Sequence, residues 1–482
     1  MTVSKTKRWM NVRYTLLAAA AVASLAGACS DDDDDDGPGT GARSGSSGSA
    51  GKAGSGQAGE SDTGGQGGTS TAGTSGGGTG GSLSLGGTGE EPTEGGAGGE
   101  TFAGAGAGGG SGGSDDGIDR DAFRPEELPF DQAAFEALSL PEGFSINVYR
   151  TGLGQARMLG VHGPHVYVTQ PMQGNVVRLI DEDGDGVAED QAVVASGLPM
   201  VHGITFHEDD VYLANVHNVY RATVAADGSF DGLTSIIADL PDGGQHALRT
   251  LGVGPDSLLY ISVGSSCDAC QEPNPEHATL LRSTLAGQPA GVREIFASGL
   301  RNTIGFGWHP TTGALWGMDQ GSDWRGDDLP PEELNAIEAG EKYGWPYCYA
   351  DRQVDPIIQG PPGSTKAEYC ATTTPPVLLN QAHQSPIGFA FYTGDTFPDR
   401  YQEGAFIAFR GSWNRKPATG YRVAFVPFVE GEPQDIEDFV SGFLNEAGTA
   451  TFGRPAGIAV APDGALLFTD DTNGIVYRVQ AE

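Results

Sequence analysis

A short apolar run, a turn rich in Gly, Pro, Asp or His, and a second run rich in aromatic and β-branched residues recur along the chain from Leu159 onward. The copies are LGVHGPHVYVTQ from Leu159, GITFHEDDVYLANV from Gly203, LGVGPDSLLYISVG from Leu251, GFGWHPTTGALWGMD from Gly305, GFAFYTGDTFPDRYQEGAFIAF from Gly388 and GIAVAPDGALLFTDD from Gly457. Some continue into a third run, such as GNVVRLI at Gly174 and GIVYRV at Gly474. Short β-rich runs bounded by turn residues predict strands. Six copies of a multi-strand unit predict an all-β, six-bladed β-propeller. The spacing widens after the fourth copy and before the fifth, which predicts inserted loops there. A β-sandwich is the competing class, but it leaves the repeated strand–turn–strand unit unexplained.

The repeat leaves the first third of the 482-residue chain to be accounted for. From Gly37 to about Gly113 the sequence is Gly, Ser, Thr and Ala with almost no large apolar residue. Such a segment cannot bury enough surface to offset its ordering entropy and reads as a flexible tether. Before it, Lys5, Lys7, Arg8 and Arg13 precede the apolar stretch Tyr14–Ala28, which ends in LAGAC. A basic start and an apolar stretch short for a membrane span predict an export signal. The ending resembles a bacterial lipoprotein signal, in which Cys29 becomes the lipidated first residue. Ala26 stands three places before that cysteine, with the leucine one place earlier than the usual pattern. Ordinary cleavage near Ala28 is the alternative. The expected organisation is therefore a leader at 1–28, an acidic and Gly/Ser-rich linker at 29–114, and the propeller at 115–482. The protein is expected to be exported, periplasmic or on the cell surface.

Charge and cysteine usage narrow this further. The net charge is −36, with Asp31–Asp36 in the linker, and there is no basic cluster. That argues against nucleic acid as a partner and leaves a lipid anchor at Cys29 as the expected means of holding a membrane. The five cysteines are Cys29, Cys267, Cys270, Cys348 and Cys370. With Cys29 consumed by lipid, four remain in an exported body and can pair completely. Disulfides Cys267–Cys270 and Cys348–Cys370 are expected. Half of a zinc site is the alternative for Cys-Asp-Ala-Cys, but no second Cys-x-x-C completes it.

Three stretches carry candidate chemistry. GGQHALRTLGVGPDSLLYISVGSSCDAC places His246 in a loop leading into a strand. SGLRNTIGFGWHP sets Arg301 beside Asn302 before another strand, and MDQGSDWRGDDLPPEELN follows as a long polar insertion. Oxygen-rich loops with glycine suit a hard cation such as calcium. Separately, DEDGDGVAED places Asp181, Asp183 and Asp185 at alternate positions before Gly186, like the start of an EF-hand loop, but Ala192 stands where the closing glutamate belongs. A second, structural calcium and a solvated acidic turn are both open.

Taken together, GGQHALRTLGVGPDSLLYISVGSSCDAC, ASGLRNTIGF, DQGSDWRGDDLPPEELN, YGWPYC and RGSWNR resemble the soluble quinoprotein sugar dehydrogenases, especially their L-sorbosone dehydrogenase-like branch. The resemblance runs from about Leu140 to Val479 with the motifs in order. It implies a six-bladed propeller that binds pyrroloquinoline quinone (PQQ) and Ca2+ at its top and oxidises a sugar or a related alcohol or aldehyde. His246 falls at the family's general base, and Arg301 at its arginine beside the reactive quinone carbonyl. Asn302 and Gln320 fall at cofactor contacts, and Gly321 and Ser322 at the backbone carbonyls that hold calcium. PQQ carries carboxylates, so Arg415 and Arg454 are the expected cations around it. His202, before another blade, is either a substrate contact or a plain loop residue. Two departures stand out: Arg410 precedes GSWNR where a histidine or neutral residue is expected, and the lysine of the glucose-oxidising members has no counterpart that can be placed.

The expected activity is thus PQQ- and calcium-dependent oxidation of a sugar substrate. Cys270 is followed by Gln271, so no haem attachment motif follows the cysteine pair, and electrons are expected to leave to an external quinone or cytochrome. A calcium-dependent lactonase propeller and a non-catalytic glycan- or protein-binding propeller are the rivals, because one fold hosts all three.

Overall fold

The computed structural model describes residues 122–241, 244–286 and 293–482. The expected leader, lipidated Cys29 and Gly/Ser-rich tether lie outside these residues. Among the described residues, 24 of the 30 strands form six four-stranded antiparallel sheets. Each predicted repeat forms the first two strands of one sheet. Blade 1 is Leu159–His162, His165–Gln170, Asn175–Ile180 and Asp190–Ala195. Blade 2 runs from Gly203 to Ile237, blade 3 from Leu251 to Ser298, blade 4 from Thr303 to Asn380, and blade 5 from Pro386 to Val440. Blade 6 takes Pro455–Val460, Leu466–Asp470 and Ile475–Ala481 from the end of the chain, and its outermost strand, Phe144–Arg150, from the beginning. This last pairing closes the ring and ties its two ends by a sheet ladder.

Burial explains the pattern in the sequence. The second strands His165–Gln170, Ala405–Phe409 and Leu466–Asp470 are buried throughout, because blades pack on both of their faces. They read as continuous apolar runs rather than alternations. The outer strand Asp190–Ala195 faces solvent on one side and alternates. A glycine recurs in each innermost strand for a packing reason. A Cβ on Gly203 would lie 2.8 Å from the Arg249 carbonyl oxygen, and one on Gly305 2.8 Å from that of Ile387. Neighbouring blades therefore approach backbone to backbone around the central channel.

The inserted loops lie in blade 4, as the spacing predicts. Residues 320–331 separate its second and third strands, and residues 337–377 separate its third and fourth. The longer insertion carries a small hairpin and the helix Lys366–Cys370, capped by Thr365 with Glu368 reaching back. It is stapled by the Cys348–Cys370 disulfide. Before the ring, the helix Gln132–Glu136 stacks Phe135 on Tyr477 with ring centroids 5.7 Å apart. Phe144 packs edge-on against Phe397, Tyr401 and Phe439. Buried aromatic side chains of this kind contribute about 2–3 kcal/mol each to holding the closing strand in place.

Candidate active site

The residues just before the innermost strands gather at one mouth of the channel: Arg157, His202, Arg249, Arg301 with Asn302, Ser385 and Arg454. Main-chain caps fix two of these entries. In blade 4, Asp319 at the end of the second strand accepts the backbone N–H of Arg301 at 2.9 Å and of Asn302 at 2.8 Å. In blade 6, Asp470 accepts the N–H of Arg454 at 3.0 Å.

His246 lies half-buried in the blade 3 loop. Its Nδ1 is 3.0 Å from the Ser265 carbonyl and 2.9 Å from Ser265 Oγ. The Ser265 hydroxyl donates its own hydrogen to the Cys267 carbonyl at 2.7 Å, so Oγ offers His246 only a lone pair. Both partners of Nδ1 therefore accept, which places the ring proton on Nδ1 and leaves the Nε2 lone pair free. Burial, and then the nearby guanidiniums of Arg301 and Arg249, hold the imidazole pKa well below its usual value. His246 is a neutral base with a defined tautomer. Gly264 lets the neighbours close in: a Cβ there would meet the His246 Cβ at 2.5 Å and Asn302 Oδ1 at 2.7 Å.

Arg301, with 3% exposure, is clamped. Its Nε donates to the Asp268 carbonyl at 2.9 Å, and Nη2 donates to Asp268 Oδ1 at 2.9 Å and Asp323 Oδ2 at 3.0 Å. Nη1 reaches the Gln320 carbonyl at 3.3 Å. Asn302 Nδ2 donates to Gln320 Oε1 at 3.1 Å, and Gln320 Nε2 to the Pro386 carbonyl at 2.7 Å. The structure thus brings His246, Arg301, Asn302 and Gln320 together.

Across the mouth lies a cluster of positive charge. Asp471 Oδ2 accepts from Arg157, and from Arg410 Nε at 2.6 Å. Arg454 stacks over Tyr421 and reaches Glu127 Oε1 at 3.2 Å. Burial and the adjacent Arg410 lower the Arg454 pKa to about 10. Burial alone would raise the Asp471 pKa, but Arg410 and Arg157 hold it at about 2. Three guanidiniums face this one fully buried carboxylate and a half-exposed Glu127. His202 belongs to the same network: Nδ1 meets the Arg249 carbonyl at 3.0 Å, and Nε2 is 3.4 Å from Arg157 Nε. Burial, reinforced by Arg157, lowers its pKa to about 3, and it has no exposed surface. It orients Arg157 and presents nothing to a ligand here. Arg415 stands apart, spent on the Asp327 and Pro417 carbonyls and Asp328.

Gly321 and Ser322 lie beside a small cavity that Asp319, Glu333 and Tyr343 also line. Gly321 N–H donates to Glu332 Oε2 at 3.2 Å. Burial raises the Asp319 pKa to about 6, and those of Glu332 and Glu333 to about 8 each. The Asp319 oxygens accept from Arg301, Asn302 and Thr303, those of Glu332 from Gly321 and Ser385, and one of Glu333 from Ala350, so the neighbouring carbonyls are the oxygens left for a hard cation. A larger pocket of about 390 Å³ lies outside the Cys267–Cys270 ring, lined by Trp324, Arg325, Ile357 and Ile358. Neither His246 nor the arginine cluster lines it, so the chemistry is not centred there. In the acidic loop, carboxylate oxygens of Asp181, Asp183, Asp185 and Glu189 lie within 4.8 Å of one another. The fourth acid is Glu189, three places before Ala192.

A sequence model of the family described as TrAA12-like matches residues 138–482. The chain belongs to the TrAA12-like family. Among relatives, an uncharacterized protein of Borreliella burgdorferi is 30% identical over 305 residues, spanning 60% of this chain and 78% of its own. A pyrroloquinoline quinone-dependent sugar dehydrogenase of Hypocrea jecorina is 24% identical over 413 residues, spanning 72% of this chain and 90% of its own. The calcium structure of the Trichoderma reesei carbohydrate-active enzyme of family AA12 superposes with a TM-score of 0.63 at 22% identity, covering 72% of this chain and 97% of that one. That likeness shows the fold, the six-bladed propeller expected from the repeats.

Both expected disulfides form, Cys267–Cys270 and Cys348–Cys370. Sequence reasoning missed Arg157, Arg249, Asp471 and Asp268. Their one available signal was position: Arg157 and Arg249 stand two residues before an innermost strand, as Arg301 does.

Proposed function

We propose that this TrAA12-like protein is a PQQ- and calcium-dependent sugar dehydrogenase that passes electrons to an external quinone or cytochrome. The observation that carries the reading is a neutral His246 with a free Nε2, beside Arg301 and Asn302 at a channel mouth whose far wall holds three guanidiniums against one buried carboxylate. That excess of positive charge fits an anionic, carboxylate-bearing cofactor. The named relative and the calcium-bearing structural neighbour are consistent with it.

Arg157, Arg410 and Arg454 would hold the cofactor's carboxylates, and Asn302 and Gln320 its edge. Gly321 and Ser322 would offer carbonyls to calcium, with the buried acids Asp319, Glu332 and Glu333 behind them. Bound PQQ would supply a two-electron acceptor for the hydride leaving the substrate carbon. His246 Nε2 takes the hydroxyl proton as that carbon is oxidised, and the Ser265 acceptors steady the imidazolium through Nδ1–H. Arg301 retains one Nη1 hydrogen beyond its described protein partners, and this donor stabilises negative charge developing on an oxygen beside it. Its clamped geometry means that no reorganisation is needed when that charge appears.

The acidic loop is proposed as a separate structural calcium site, closed by Glu189. Export and a lipid anchor at Cys29 complete the reading and rest on the leader sequence alone. The test is reconstitution with PQQ and calcium followed by dye reduction with a panel of sugars. Sugar-dependent reduction that needs both additions supports the proposal. Absence of PQQ binding would redirect it to the lactonase or binding-module reading.

A further inference from the structure

The clamp on Arg301 comes largely from one residue, Asp268, and that residue sits inside the four-residue ring closed by Cys267–Cys270. Asp268 grips the guanidinium twice. Its main-chain carbonyl accepts Nε and its carboxylate accepts Nη2, both at 2.9 Å. The same side chain is itself anchored: Oδ1 accepts the Asp323 N–H at 2.6 Å, and Oδ2 accepts Arg325 Nη1 at 2.9 Å. Arg325 in turn is held by Asp355 Oδ2 at 2.9 Å. On the other side of the ring, the Cys267 carbonyl accepts the hydroxyl of Ser265, the residue that fixes His246 Nδ1. A single short covalent ring therefore borders both candidate catalytic groups.

We propose that Asp268 is a positioning residue for Arg301, that the Cys267–Cys270 ring holds it in register, and that together they set the orientation and the net field of the Arg301 guanidinium at the reaction centre. The proposal rests on the reading of Arg301 as a donor to the reacting oxygen. The geometry gives it content. A guanidinium has five N–H groups in a rigid plane. Asp268 takes two, Asp323 one and Gln320 one, so the plane is fixed and the remaining Nη1 hydrogen is the one available to a ligand. Asp268 and Asp323 also offset much of the positive charge. Loss of the Asp268 carboxylate would free one Nη2 hydrogen, loosen the plane and leave more uncompensated charge facing both His246 and the cofactor.

The test uses the full chain carrying Asp268→Asn and, separately, the Cys267→Ser/Cys270→Ser double variant. With PQQ and calcium loaded, Asp268→Asn is expected to lower kcat about 10- to 100-fold, the scale of one charge-assisted hydrogen bond, with KM changed by less. The reduction potential of bound PQQ is expected to rise, because extra positive charge favours the reduced, more anionic cofactor. The double-cysteine variant should move both quantities the same way. In cofactor-free protein, the His246 ring, followed by NMR against pH, should titrate at still lower pH in Asp268→Asn. Arg301→Gln should move it the other way, since Arg301 and Arg249 are the cations that face it. Unchanged kcat, potential and His246 titration in Asp268→Asn would overturn the proposal. Failure of the wild type to bind PQQ would instead reject the dehydrogenase reading, and the His246 titration in the same samples would still decide whether Asp268 governs the Arg301 field. A fall in kcat with potential and titration unmoved would mark Asp268 as structural only and also reject the proposal.

Discussion

Replacing His246 by alanine tests the proposed chemistry most directly. The imidazole contributes a neutral Nε2 lone pair, with Nδ1–H held by two acceptors on Ser265. Loss of a positioned general base costs about 10²- to 10⁴-fold in rate, or about 3–5 kcal/mol of barrier at about 1.4 kcal/mol per decade. His246→Ala should therefore lose kcat on that scale while retaining PQQ, because the arginine cluster across the mouth is untouched. The pH profile adds a sharper signature. Protonation disables the base, so the rate falls on the acid side of the histidine's own pKa. An ordinary histidine would be about nine-tenths neutral at about pH 7.5 and only about one-tenth neutral at about pH 5.5, a nearly tenfold loss. Burial, with Arg301 and Arg249 adding to it, lowers the His246 pKa well below that ordinary value. The wild-type kcat/KM should consequently stay near its plateau through the mildly acidic range and fall only at lower pH. Steady-state dye reduction across pH, run beside melting curves, makes the measurement. An acid limb centred near the ordinary histidine value, or an alanine variant with wild-type turnover and an intact quinone spectrum, would refute the assignment.

Other expectations follow from the same contacts. Arg454→Gln should weaken PQQ binding about 10- to 100-fold in calorimetric titration, as expected for one charged partner of a carboxylate, with the fold intact by circular dichroism. Gly305→Ala should lower the melting temperature, since its new Cβ would sit 2.8 Å from the Ile387 carbonyl oxygen and force two blades apart; overpacking of this kind costs about 1–3 kcal/mol. Opening the Cys348–Cys370 link, whose sequence separation is 22, should cost about 3 kcal/mol by the loop-entropy relation, read as a lower urea midpoint for the double serine variant. Asp471 titrates at about 2 in the folded protein, below its ordinary carboxylate value. It therefore contributes stability that is fully present above about pH 4 and lost as pH falls through about 2, worth about 2 kcal/mol. Acid unfolding of Asp471→Asn should lack that component.

The fold was legible because its repeat unit is local. A glycine that permits close blade packing, a turn, and a fully buried second strand all fall within some fifteen residues, and they recur. The closing strand Phe144–Arg150 was not legible, because its partner Ile475–Ala481 lies at the other end of the chain and no local signal links them. The site divides the same way. His246, Arg301, Asn302 and Gln320 stand in compact motifs, and the structure gathers them at one mouth. Arg157 sits in the unremarkable stretch GLGQARMLG, and Asp471 is 314 positions away from it. Only ring closure brings them together. Asp268 was visible as part of a cysteine ring, but its partner Arg301 lies 33 residues on, in the next blade's loop. In the acidic loop the spacing of three aspartates was readable, whereas the fold of the turn, not the count to Ala192, selects Glu189 as the fourth acid.

The balance of charge around the channel ties these observations to function. The chain as a whole is strongly acidic, with a net charge of −36. At the mouth the sign is arranged by position. On the His246 side, Arg301 is matched by Asp268 and Asp323, so its charge is spent on holding geometry. On the opposite side, Arg157 and Arg410 share Asp471, and Arg454 has only the half-exposed Glu127, so charge is left over. Burial, and then the adjacent Arg410, disfavour the protonated form of Arg454 and lower its pKa to about 10. A buried cation cluster of this kind costs folding free energy that an anionic ligand returns on binding. One wall is thus compensated and rigid where the proposed chemistry would place a proton and a hydride, and the other is uncompensated where the proposed anionic cofactor would be held.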